Sequence, residues 1–198
     1  MLTLPEKLFL LSLDDQKDLR YSVSWAVLSV SMAGALVMEL ALRGKIHIDG
    51  TQRITLIETT SCGDELLDDV LACLLKKNTE RTMNHWVTML LEKFSKLKIK
   101  ERLLHNLSRK GILQREEKLF CGVVPYNRYS LGGRMMRDGI QRELQAVVEK
   151  TKAPDESSVM LLSLLQSCQL YNRVCHAPRS EVMIPRLRDN FESALANA

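Results

Sequence analysis

Aromatic residues are scarce in this chain, at 5% of 198 residues, and leucine is plentiful, which is a helical composition. The usual marks of an enzyme are missing: there is no GxSxG, HExxH, GxxxxGK[ST], GxGxxG or CxxC pattern. Cys168, Cys175 and His176 follow no zinc spacing and read as buried or incidental, and His47, His85 and His105 read as packing or surface residues. Asp14-Asp15 and Asp68-Asp69 read as solvated acids. No catalytic residue, metal or cofactor is expected, and the chain does not read as an enzyme. The opening MLTLPEKLFLLSLDD carries Glu6 and Lys7 ahead of its apolar patch and has no small-residue cleavage site, so no secretory signal is expected. Five cysteines, an odd number without secretory context, imply reduced thiols in a cytosolic compartment. No stretch is low-complexity and no linker is long enough to divide the chain, so a single domain over 1–198 is expected.

What is present is organised around YSVSWAVLSVSMAGALVMELAL, residues 21–42, where no charge occurs between Arg20 and Glu39. Apolar side chains point in every helical direction, whereas a surface helix keeps a polar face. Eighteen uncharged residues reach the lower limit for a membrane span, but four are serines and Glu39 interrupts the run. The reading is the buried central helix of a mainly α fold, wrapped by the rest of the chain.

In chain order, Thr3-Leu4-Pro5-Glu6 fits a capping box, starting a short helix that carries Leu8, Phe9, Leu10 and Leu11. The central helix closes on Arg43-Gly44. KIHI and RITLI, joined by Asp49-Gly50-Thr51-Gln52, predict a β-hairpin. DELLDDVLACLLKK has leucines at helical spacing, and a further helix is predicted over about 81–94 with Trp86, Met89 and Leu90 on one face. IKERLLHNLSRKG predicts another helix, followed by a second hairpin in ILQREEKLFCGVV and a loop containing Pro125 and Gly132-Gly133. Helices are predicted again over about 134–150, 154–170 and 179–196. The fold class is therefore mainly α, with two short β-hairpins.

Charge is concentrated. Between Lys93 and Arg115 there are eight Lys/Arg against the single acid Glu101, net +7 in a chain whose total is +4. Such a segment suits phosphates of lipid headgroups or of nucleic acid. Lys96, Lys98 and Lys100 alternate, so an extended backbone would project three ammonium groups to one side.

LTLPEKLFLLSL, ELALRG (Glu39 to Gly44) and KERLLHNLSRKGIL with its hairpin together resemble the Golgi phosphoprotein 3 family over nearly the whole chain. ELALRG is the most specific part. Eukaryotic members carry a longer amino-terminal arm, and a start at the domain itself is the expectation for a compact, prokaryotic-type member. The resemblance implies a peripheral membrane adaptor that binds phosphatidylinositol 4-phosphate and, in eukaryotes, cytosolic tails of Golgi glycosyltransferases. It would lie in the cytoplasm, on the Golgi in a eukaryote or on the inner face of the plasma membrane in a prokaryote.

The family's headgroup pocket uses a tryptophan early in the central helix, an arginine in its middle and two basic residues before E-R-L. Without gaps these fall at Ser24, next to Trp25, then at Ala33, Leu97 and Lys100. The headgroup candidates are therefore Trp25 and Lys100, with Arg20, Lys96 and Lys98 as compensating cations. Lysine offers a point charge where arginine offers a bidentate fork, so loose attraction to anionic lipid is expected more than selection of one phosphoinositide.

The family's hairpin serves membrane contact and self-association. Here Phe120, Val123, Val124, Tyr126 and Arg128, with Pro125 and Tyr129, are the corresponding candidates for membrane or homo-oligomer contact. The lesser alternative is a winged-helix-like nucleic-acid binder, with Arg102, His105, Asn106 and Arg109 on its recognition helix. The absence of a dimerising coiled coil weighs against it.

Overall fold

The computed structural model describes residues 1–13, 21–76, 81–120, 124–132 and 134–175. Its centre is α2 (Trp25–Leu42), whose eleven consecutive residues 31–41 are all buried. The all-round apolar pattern has its physical counterpart there, because neighbouring elements cover every direction of those three turns. The first two turns differ. Ala26 is exposed, and Val27 and Val30 are 37% and 48% exposed, so the uncharged run is a core helix with one bare end.

α1 (Leu4–Ser12) lies against α2. Its capping box forms as the sequence predicts: Thr3 Oγ1 accepts the Glu6 N–H, and a Glu6 carboxylate oxygen accepts the Thr3 N–H at 2.8 Å. Glu6 is almost fully buried and pairs with Lys110 Nζ at 2.6 Å. Glu39, an interruption in the pattern, is also buried. One carboxylate oxygen accepts the Leu4 N–H at 2.7 Å, and the other accepts Arg43 Nε at 2.8 Å. Arg43 Nη1 also donates to the Cys62 carbonyl at 2.8 Å. Gly44, with φ +65, then turns the chain. ELALRG is thus a structural device: its acid caps α1, its arginine ties down the 57–64 loop, and its glycine ends α2.

β1 (Ile46–Ile48) and β2 (Arg53–Leu56) pair antiparallel with Ile46 opposite Leu56 and Ile48 opposite Ile54, burying Ile46, Ile48 and Ile54. This predicted hairpin gains a third strand, β3 (Arg81–Thr82), beside β2. The helix expected from 81 therefore begins later, as α4 (Met83–Lys93), because Arg81 and Thr82 complete the sheet edge instead. α3 (Glu65–Leu75), capped by Asp64 at two backbone N–H groups, buries Leu66, Leu67, Val70, Leu71 and Leu74.

α5 (Ile99–Arg109) buries Ile99, Leu103, Leu104 and Leu107. β4 (Leu113–Phe120) and β5 (Val124–Leu131) form a longer ribbon than predicted, and Pro125 lies within β5 opposite Leu119 instead of in a loop. A two-stranded ribbon has only edge strands, so a residue without an N–H is tolerated there. α6 (Arg134–Val148) and α7 (Glu156–Ser167) match the predicted segments, and the short α8 (Tyr171–Val174) follows. The helix predicted over about 179–196 lies outside the described residues, as does His176. Asp68 and Asp69 are more engaged than solvated acids: Asp68 accepts from Ser61 Oγ and the Cys62 N–H, and Asp69 from Arg102 Nη1 at 2.5 Å.

Candidate functional site

The bare end of α2 carries an aromatic corner. Ser24 caps the helix through its side chain, which places Trp25 in the first turn. Tyr21 is held just before it by bridge pairing with Leu13 and by the Ser22 N–H bond to the Ser12 carbonyl at 2.8 Å. The rings form a continuous series: Phe9 to Tyr21 at 5.8 Å, Tyr21 to Trp25 at 5.1 Å, and Trp25 to Phe94 at 6.0 Å between centroids. Their tilted and edge-on arrangements suit the ring quadrupoles.

Lys100 closes this corner. Its Nζ lies 5.4 Å from the centroid of Tyr21 and 5.4 Å from that of Trp25, within cation–π range of both. The α4–α5 turn puts it there. The Leu97 N–H bonds to Lys93 O, the Lys98 N–H to Ser95 O and the Ile99 N–H to Phe94 O, while Lys98 takes left-handed angles of φ 48 and ψ 43. The backbone from Lys96 to Lys100 is therefore not extended, the condition under which the three ammonium groups would project to one side. Lys96 and Lys98 are exposed on the turn, and Lys100 is half-buried on the first turn of α5. The turn is pinned against Trp25 at both ends, by the Phe94 ring and by Lys100. Burial raises the Tyr21 phenol to about 12, with the negative charge of Glu101 adding to the shift, so the ring is neutral at physiological pH.

Of the sequence candidates, Trp25 and Lys100 are brought together. Arg20 lies outside the described residues, as does Val123. Phe120, Val124, Tyr126 and Arg128 lie on the ribbon, in the pairs Phe120 with Val124, Lys118 with Tyr126 and Glu116 with Arg128. Tyr129 is half-buried and packs on the core instead of standing free. Ala33, where the ungapped alignment puts the family's mid-helix arginine, is fully buried, and Leu97 is half-buried on the core. The aromatic corner therefore has one held cation and two exposed lysines on the adjoining turn, with no guanidinium fork from position 33. Sequence reasoning missed Tyr21, because an aromatic at the start of an apolar run reads as core. Its spacing of four from Trp25 was the available signal.

The polar face of α5 lies elsewhere. Arg102, His105, Asn106, Arg109 and Lys110 line an open groove of about 600 Å³ together with Arg43 and the 63–66 segment. Arg102 is held by Asp69 and Lys110 by Glu6, and Asp64 and Glu65 stand in the same groove. Its positive charge is largely compensated from within.

Over residues 4–198 the chain matches the family model described as Golgi phosphoprotein 3 (GPP34). It is 33% identical over 169 residues to a vacuolar protein sorting-associated protein 74 of Eremothecium gossypii, covering 74% of this chain and 49% of that protein. It is 26% identical over 166 residues to the protein of the same description in Schizosaccharomyces pombe, covering 74% and 48%. The chain spans about half the length of the curated relatives it matches.

Proposed function

Because the chain belongs to the Golgi phosphoprotein 3 family, we propose that it is a non-enzymatic adaptor that docks on the cytosolic face of a membrane by binding anionic lipid headgroups at the Trp25–Lys100 corner. The observation that carries this reading is the Lys100 ammonium, held 5.4 Å from two aromatic ring centroids at the uncharged end of α2. A cation fixed at an apolar tip can meet a phosphate while the rings rest at the headgroup level, where aromatic groups partition well. Lys96 and Lys98, exposed on the adjoining turn, add attraction of about 1 kcal/mol each near an anionic surface.

Headgroup selection is proposed to be loose. Phosphatidylinositol 4-phosphate is favoured over a singly charged lipid by its charge, without the bidentate grip that an arginine would supply. As an adaptor the protein would also hold cytosolic tails of membrane enzymes, with Phe120, Val124, Tyr126 and Arg128 of the ribbon, and Val123 of the same stretch of sequence, as candidates for membrane contact or self-association. A nucleic-acid role is less well supported, since Arg102 and Lys110 are already engaged by Asp69 and Glu6 and two acids share their groove.

Co-sedimentation with neutral vesicles, anionic vesicles and vesicles containing phosphatidylinositol 4-phosphate, at low and moderate salt, tests the proposal. Expected is salt-sensitive binding to both anionic compositions, lost when Lys96, Lys98 and Lys100 are together replaced by Ala. Binding to none of them would remove the membrane reading.

A further inference from the structure

The start of α6 is unlike the rest of that helix. Ile140, Leu144, Val147 and Val148 are buried, whereas none of residues 134–139 is. Met135 is 84% exposed and Met136 48%, an adjacent apolar pair with Arg134 before it and Arg137 after it. No acid occurs in this first turn, and the exposed Asp138 follows it. Unbranched, polarisable methionine adapts to irregular apolar surroundings and is common at binding surfaces that accept varied partners.

The pair is connected to the aromatic corner. Arg137 Nη1 donates to the Leu13 carbonyl at 3.3 Å, and Leu13 is the bridge partner of Tyr21, on whose ring Lys100 rests. Arg137 thus ties the start of α6 to the segment that carries Tyr21.

We propose that Met135 and Met136 form an insertion element that enters the apolar edge of an anionic bilayer while Arg134 and Arg137 meet its headgroups. This rests on the adaptor reading and adds a second point of membrane contact, contributed by α6. The flanking arginines select the occupant, because apolar groups between cations suit a negatively charged lipid surface better than a protein face of mixed charge. Two points of contact fix the orientation of the protein on the membrane, whereas the Trp25–Lys100 corner alone would leave it free to rotate.

The test is methionine oxidation by dilute hydrogen peroxide, mapped by mass spectrometry on the full chain with neutral vesicles, with phosphatidylserine vesicles and with phosphatidylinositol 4-phosphate vesicles. An added methionyl peptide reports the bulk oxidation rate. Met135 and Met136 are expected to oxidise at least about fivefold more slowly on either anionic vesicle, with no change on neutral ones. In parallel, the double variant Met135→Ser, Met136→Ser should bind anionic vesicles about tenfold more weakly, while its binding of a soluble short-chain phosphatidylinositol 4-phosphate stays within twofold of the parent. Unchanged oxidation in protein that does co-sediment with the vesicles would overturn this inference and leave the adaptor reading standing. Failure to co-sediment would remove both. Protection by an added protein but not by lipid would also overturn it.

Discussion

Glu39 in α2 caps Leu4 in α1: a carboxylate oxygen accepts the Leu4 N–H at 2.7 Å, across 35 positions of sequence. The same carboxylate accepts Arg43 Nε, so one buried acid fastens the first helix and the end of the central one. Removing it would leave a helix-start N–H without its acceptor and would take from Arg43 its ion partner. Glu39→Ala is expected to cost about 2–3 kcal/mol, with Glu39→Gln costing less because the amide oxygen can still accept. Urea unfolding measures both. Equal losses for the two variants would show that packing, and not the capping bond, sets the cost.

Lys98 is left-handed at φ 48, and this places Lys100 on the aromatic corner. A side chain there costs about 1–2 kcal/mol, partly offset by the chain entropy that glycine would bring. Lys98→Gly is therefore expected to stabilise the fold by about 0.5 kcal/mol, and Lys98→Val, β-branched in the same region, to destabilise it by about 1 kcal/mol. Thermal melts of the two variants give the order. A destabilised glycine variant would mean that the turn is not strained.

Tyr21 supplies a pH dependence. Its phenol ionises near 10 when unfolded and is raised to about 12 when folded, by burial first and by Glu101 second. Between those values the unfolded chain has lost the proton and the folded one has kept it. The contribution is thus complete below pH 10 and is lost as pH rises from 10 towards 12. Screened at this half-exposed site, it amounts to about 1 kcal/mol. Tyr21→Phe should flatten the stability curve of the parent over that window and leave it unchanged in slope below pH 9. Parallel curves above pH 10 would remove Tyr21 as the source.

Much of this was legible in sequence because helical spacing is a local signal. The capping box at Thr3, the Gly44 turn, the leucines of α3 and α5 and both hairpins follow from neighbouring residues. What escaped is long-range. Glu39 looks like an interruption until Leu4 is folded beside it, and Arg81 and Thr82 look helical until β2 offers an edge. Lys96, Lys98 and Lys100 would share a side only on an extended backbone, but the chain turns between α4 and α5, and of the three Lys100 is the one held against the rings. Ala33 shows the limit of transferring a pocket by alignment. The aligned position is buried here, and Trp25 and Lys100 form a corner without it.

The most direct test of the account compares single lysines. Lys96→Ala, Lys98→Ala and Lys100→Ala remove the same formal charge, yet Lys100 alone is held against Tyr21 and Trp25. Measured by binding to anionic vesicles at moderate salt, Lys100→Ala is predicted to lose about tenfold in affinity, and each of the others about two- to fivefold, with all three variants folded by circular dichroism. Equal losses from the three would contradict a built headgroup corner and leave only a diffuse basic surface.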